Sequence, residues 1–168
     1  KLCKKNLKYN FFLTTNSIDT NLYSSLKRVT NKNEFRVVMV SRLMKSKGFH
    51  IALEASEILK KRFPNILFYF TGSCESSGLS KSELNKWISS SNVFLNPYSK
   101  NVLNAYEKAD IAILPTTYRE GFPRSVMEPM AAGIPVITTN FPGSNTVLVD
   151  GFNSLIIKPI ALDLAEAI

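Results

Sequence analysis

Two glutamates raise the first chemical question. In "REGFPRSVMEPMAAGIPV", residues 119–136, Glu120 and Glu128 stand with seven residues between them. Gly121, Pro123 and the start of a helical pattern lie between the two acids, so Glu120 falls in a loop and Glu128 about one turn inside a helix. Gly121 permits tight backbone geometry, and Pro123 suits the first turn of a helix, where its missing N–H costs little. The free N–H groups of Arg124 and Ser125 at that helix start can meet a phosphate. A carboxylate at Glu128 can accept two hydrogen bonds from a vicinal diol such as that of a ribose, and Glu120 can hold sugar hydroxyls. One loop thus offers grips for the three parts of a nucleotide sugar.

A second stretch, "SRLMKSKGF" (41–49), supplies cations. Arg42 lies at the carboxyl end of an apolar strand, and Lys47 and Gly48 open the helix that follows. A guanidinium and an ammonium beside exposed helix N–H groups form an anion site. Plainer readings stand beside these: a solvated helix with acids near its positive end, and a pair of surface cations. Two neighbouring carboxylates also suit a glycoside hydrolase. That alternative accounts for the glutamates but not for Arg42, Lys47 or the helix start. A non-catalytic nucleotide-binding α/β domain accounts for the fold but not for the combination of motifs.

The elements that must position these side chains alternate along the chain. Strands are expected at 35–43, 64–72, 92–96, 110–115 and 134–140, with a last short one inside 143–159 after a helical turn and a turn at Asp150-Gly151. Helices are expected at 48–63, 79–90, 99–109 and 124–133, the last ended by Gly133, with another beginning in "ALDLAEAI". Continuous apolar strands alternating with amphipathic helices predict an α/β fold, a Rossmann-like, doubly wound parallel sheet covered on both faces. In such sheets ligands bind outside the carboxyl ends of the strands, which is where the unusual polar residues cluster.

The bulk composition narrows the classes further. The 168 residues suffice for one domain with a real core, and 45% of them are apolar. No apolar run approaches the roughly 18 residues that span a membrane. Lys1 opens the chain and "LDLAEAI" stops inside a helical pattern, so the sequence reads as a piece of a longer protein. Cys3 and Cys74 are far apart and read as free thiols of a reducing compartment. His50, the one histidine, reads as an ordinary helix residue, and no metal site is expected. The net charge is +8, with basic residues crowded in "KLCKKNLK" and "LKRVTNKNEFR". Such a surface attracts phosphorylated substrates or anionic membrane. Nothing resembles a nucleic-acid-binding motif, so no nucleic-acid partner is expected.

Taken together, the motifs resemble a known family. Glu120 and Glu128 match the E-x7-E pattern of retaining glycosyltransferases with the GT-B fold, family 4 in particular. "SRLMKSKG" resembles that family's Arg…Lys-Gly segment, and "MAAGIPVITTNFPGSNTVLVDGFNSLIIKP" the segment after its second Glu. "NSIDTNLY" (16–23) resembles the stretch where the chain crosses between the two GT-B domains. "REGFPRSVMEPMAAGIPVITT" looks most like bacterial enzymes that build O-antigen, capsule and other surface polysaccharides.

The resemblance implies the C-terminal half of a GT-B fold. Residues 1–30 would be the interdomain crossover, 31–168 the donor-binding domain, and the N-terminal acceptor domain would lie outside this chain. Arg42 and Lys47 would neutralise the diphosphate leaving group. Glu120, with the backbone of Gly121 and Phe122, would hold the donor sugar. Glu128 would bind the ribose, and the Arg124 and Ser125 amides the phosphates. Gly72 would let the backbone approach the nucleoside, and Phe94, Leu95 and Asn96 would meet the base. Two departures from the family pattern are Pro123 and Asn96, each where many relatives carry Gly. The implied mechanism is front-face retaining transfer, with no metal and no covalent enzyme intermediate. The nucleotide sugar, a UDP-sugar first of all, is the substrate rather than a cofactor. The acceptor would be a glycan or a lipid-linked glycan, and the location cytoplasmic or peripheral on the inner membrane face.

Overall fold

Six short apolar runs form a single parallel sheet. They are β1 (Phe35–Val40), β2 (Ile66–Thr71), β3 (Val93–Asn96), β4 (Ile111–Leu114), β5 (Val136–Thr139) and β6 (Leu155–Ile157). The structure, a computed structural model, describes residues 16–29, 31–74, 78–89, 92–97, 99, 101–142 and 148–168. The strand order is β3-β2-β1-β4-β5-β6, and every pairing is parallel. The order reverses between β1 and β4, which opens a crevice at their carboxyl ends.

Helices cover both faces, which is why every residue of β4 and β5 is buried. The helices are α1 (Thr20–Ser24), α2 (Phe49–Lys60), α3 (Lys81–Ile88), α4 (Leu103–Glu107), α5 (Arg124–Ala131) and α6 (Ala161–Ala167). On one face, Phe49 of α2 meets Phe70 of β2 edge-on at 5.1 Å, with Phe68 stacked beside it. On the other, Val38, Tyr69 and Thr71 share a small cavity with Asn104 and Ala105 of α4. Strand side chains alternate between faces, so α2 and α4 sit on opposite sides of the sheet. Each fully buried Phe of this core contributes about 1.5–3 kcal/mol relative to exposure.

The expected elements are present, with their ends trimmed by turn chemistry. Ser80 and Glu83 close a capping box at the start of α3, and Gly133 (φ 68°) follows the end of α5. The Asp150-Gly151 turn is formed, with the Gly151 N–H donating to the Ser154 carbonyl at 2.9 Å. The expected helix at 99–109 shortens to α4. The helical turn expected near 143–147 lies outside the described residues, as do Cys3 and the basic stretch 1–8. Two expectations need correction. Lys47 does not open α2 but ends a 3-10 turn, Lys45–Lys47, and Pro123 is the N-cap of α5 rather than its first helical residue. Helix α1, in the segment before β1, was not anticipated. The Asp19 side chain caps it by accepting from the N–H groups of Asn21 and Leu22.

Gly48 explains the displaced helix start. It adopts φ 76°, and a Cβ there would lie 1.9 Å from the carbonyl oxygen of Pro115, just past β4. The turn after β1 is therefore pressed against the end of β4, and only glycine permits both the conformation and the approach. Gly48→Ala is expected to lower unfolding free energy by about 2 kcal/mol, combining left-handed strain with overpacking. Urea titration measures this. A loss below a few tenths would mean that the contact is easily relaxed.

Candidate functional site

The crevice between β1 and β4 holds a cleft of ≈ 670 Å³. The turn after β1 brings Arg42 and Lys47 to it. The loop after β4 brings Glu120, Gly121 and Phe122. The first turns of α5 bring Arg124, Ser125 and Glu128. Eight of the expected site residues, from three separate stretches of sequence, thus line one cavity.

Lys47 and Glu120 form a salt bridge across the floor of this cleft, with side chains 19% and 12% exposed. Thr116, fully buried in the same loop, ties the two stretches together. Its hydroxyl lies 2.9 Å from the Ser46 carbonyl and 3.3 Å from Glu120 Oε1. It has one proton to donate, and the shorter contact, to Ser46, takes it. The Thr117 N–H also donates to the Ser46 carbonyl at 2.9 Å. Behind them, the Thr139 hydroxyl donates to the Thr116 carbonyl at 2.6 Å. The ion pair therefore stands on a bonded frame that joins β1, β4 and β5.

Glu128 is only 5% exposed, and a buried carboxylate must be hydrogen-bonded. Arg124 Nε donates to its Oε1 at 3.0 Å, and the Tyr106 hydroxyl donates to its Oε2 at 3.2 Å. Tyr23 of α1 packs edge-on against Tyr106 at 6.3 Å. Burial raises the pKa of both phenols, and the adjacent Glu128 carboxylate raises them further, well above the ordinary range for Tyr106. A carboxylate offers about four acceptor positions, so Glu128 retains acceptor capacity toward the cleft. Asn16 closes the rim by donating to the Phe122 carbonyl at 2.8 Å.

Arg42 is exposed at the mouth of the cleft. No side chain caps the start of α5, and Arg124 and Ser125 line the same space. Gly121 differs from expectation: its φ is not positive, and a Cβ would meet nothing within 4 Å. The fold does not demand glycine there.

Gly72 shows the converse. A Cβ on it would lie 1.8 Å from the Ser41 carbonyl, so the approach of the loop after β2 to the end of β1 requires it. Phe94, Leu95 and Asn96 lie on β3, two strands and about 10 Å from β1, outside the Glu120–Glu128 cleft. The Asn96 carbonyl already accepts from the Gly72 N–H at 3.2 Å. Phe94 stacks on Tyr69 at 4.8 Å.

His50 is the second residue of α2, as expected of an ordinary helix residue. Cys74 is free and half-buried, and burial raises its thiol pKa. Among the described residues, no three His, Cys, Asp or Glu side chains group as metal ligands, and no helix is long and apolar enough to cross a membrane. Tyr23, Tyr106, Asn16 and Thr116 are the site residues that sequence reasoning missed. Tyr106 carries a periodic apolar signal only, which does not separate a core ring from a hydrogen-bonding one.

Known proteins resemble this chain in sequence and in fold. The family of glycosyl transferases group 1 matches residues 25–168. A poly(glycerol-phosphate) alpha-glucosyltransferase of Bacillus subtilis (strain 168) is 31% identical over 160 residues, covering 94% of this chain and 24% of that protein. The capsular polysaccharide biosynthesis glycosyltransferase CapM of Staphylococcus aureus is 28% identical over 143 residues, covering 84% of this chain and 37% of that one. The chain therefore spans well under half of either relative. Among solved structures, HepE from Anabaena in complex with UDP-glucose superposes with a TM-score of 0.74 at 22% identity, over 90% of this chain and 45% of that one. The C-terminal domain of a glycosyl transferase group 1 family protein (LpcC) from Francisella tularensis also gives 0.74, at 19% identity, over 90% and 85% of the two chains. The chain belongs to the glycosyl transferases group 1 family, and its sheet and helices are the C-terminal half of the GT-B fold.

Proposed function

We propose that this chain is the donor-binding half of a retaining glycosyltransferase that moves a sugar from a UDP-sugar to a glycan or lipid-linked acceptor in bacterial surface polysaccharide synthesis. The single observation that carries the reading is the cleft at the β1–β4 switch point. There two cations, an uncapped helix start and two carboxylates converge on one space of ≈ 670 Å³. Arg42 and Lys47 meet the diphosphate together with the Arg124 and Ser125 amides. Glu128 accepts from the ribose hydroxyls. Glu120, with the backbone of Gly121 and Phe122, orients the sugar. The open space at Gly121 supports a close ligand approach, and Gly72 and β3 lie on the side where the base would extend. The names of the relatives support a role in making bacterial surface polymers, and the UDP and UDP-glucose bound to HepE support the donor.

The chemistry this set performs is electrostatic. Front-face departure of the diphosphate builds negative charge on the leaving group, and preorganised cations and amides stabilise that charge without a covalent enzyme intermediate. The resemblance to family 4 carries the assignment of a metal-free mechanism and of a site of action at the cytoplasmic membrane face. A glycosidase needs one carboxyl of its pair free to give a proton, whereas here each carboxylate is engaged by a cation.

Calorimetric titration of UDP, GDP and ADP at low salt tests the reading, with UDP expected to bind most tightly. Glu128→Ala is expected to weaken UDP binding about tenfold, the scale of lost hydrogen bonds to a charged group. Glu120→Ala should leave UDP affinity nearly unchanged while impairing sugar transfer by the full-length protein. No binding of any of the three nucleotides at millimolar concentration would defeat the assignment. Indistinguishable behaviour of the two variants would defeat the division of roles.

A further inference from the structure

We propose that Tyr106 is a positioning residue for Glu128: its buried hydroxyl, 3.2 Å from Oε2, sets the plane of the carboxylate so that the remaining lone pairs face the cleft and accept both hydroxyls of a ribose. The inference rests on the donor-site reading above and adds to it the group that makes the ribose grip directional.

The terminal torsion of a glutamate is broad, with no sharp staggered wells. A carboxylate one turn inside a helix can therefore rotate unless something holds it. Arg124 and Tyr106 hold this one on different oxygens, and the Tyr23 side chain also interacts with Glu128 and with Arg124. Arg124 Nε takes Oε1, but that side chain is 62% exposed, and it reaches Glu128 from solvent on a flexible stem. Tyr106 is 1% exposed. Its ring is fixed by the core and by the edge of Tyr23, and it has only one hydroxyl with which to address Oε2. A rigid donor on one oxygen and a mobile one on the other orient the plane through the rigid donor.

Burial and the facing carboxylate keep the phenol protonated, so it acts as a donor throughout the neutral range. The remaining acceptor positions of Glu128 then open toward the cleft that the residue lines. Helix α4, which carries Tyr106, contributes neither a cation nor an acid to this grip.

The test compares UDP with 3′-deoxy-UDP by calorimetry on the full-length protein. The wild type is expected to prefer UDP about tenfold, because a buried group built to accept from a hydroxyl is left underused by the analogue. Tyr106→Phe, which keeps the ring, is expected to weaken UDP about fivefold, the scale of one hydrogen bond. It should leave 3′-deoxy-UDP within about twofold, as expected when only the lost grip is at issue. Discrimination therefore collapses, and in turnover assays donor KM rises while kcat holds.

Arg124→Gln, made on an exposed side chain, provides a second test that leaves the Tyr106 ring in place. It should weaken both nucleotides but preserve more of the discrimination than Tyr106→Phe. Equal loss of both nucleotides in Tyr106→Phe, or loss of neither, overturns the positioning role while leaving the donor site standing. Failure of the wild type to bind UDP overturns the donor-site reading and this inference with it.

Discussion

Replacing Arg42 or Lys47 by alanine is expected to lower turnover of the full-length protein by about 100-fold, the scale of losing one preorganised charge-stabilising group. The two variants should reach that loss by different routes. Arg42 is exposed at the cleft mouth, so Arg42→Ala should melt like the wild type. Its defect should appear in kcat more than in UDP affinity, because the charge it meets grows as the sugar leaves. Lys47 also neutralises Glu120 in a pair whose side chains are 19% and 12% exposed. Removing one partner of a largely buried pair leaves the other uncompensated. Lys47→Ala should therefore lose stability as well as turnover, and the double variant Lys47→Ala/Glu120→Gln should recover stability without recovering activity. Steady-state kinetics and thermal melting separate the two effects. Turnover within threefold of the wild type in both single variants would remove the cations from the mechanism.

Much of this site was legible because its parts sit at boundaries that sequence marks strongly. Apolar runs ending in polar residues located the carboxyl ends of β1 and β4, and topology then forced Arg42, Lys47, Glu120 and Glu128 into one crevice. The spacing of Glu128 from the helix start fixed its depth, and in the structure it follows Arg124 by one i,i+4 step. Local turn geometry was less legible. Lys47 and Gly48 read as the opening of a helix, but the approach of the Pro115 carbonyl forces a 3-10 turn there, a tertiary constraint that no local pattern encodes. Gly121 and Gly72 carried the same sequence signal and have opposite structural reasons: one faces open space, the other a backbone carbonyl. The segment before β1 was opaque for a third reason. Helix α1 is five residues long, too short to show a period, yet it delivers Tyr23 against Tyr106 and so joins this segment to the Glu128 end of the cleft.

Residues 1–168 alone are expected to bind UDP but to transfer no measurable sugar. The cleft is built from the carboxyl ends of one sheet and the elements beside them, and the grips proposed for the donor in it are cations, amides and two carboxylates. The GT-B fold sets a second domain across this crevice, and the chain spans only 24% and 37% of the two curated relatives compared above. Without an opposing wall the diphosphate stays in contact with bulk water. At an effective dielectric near 80, a pair of charges 4 Å apart gains about 1 kcal/mol, against about 4 kcal/mol at an effective value of 20. The difference, about 3 kcal/mol per charge pair, amounts to about two orders of magnitude in rate for each cation before any loss of acceptor positioning is counted. Assaying this chain and the full-length protein with one UDP-sugar and one acceptor decides the matter. Binding by both with transfer only by the longer protein is the expected result, and comparable turnover by residues 1–168 would sink the two-domain mechanism.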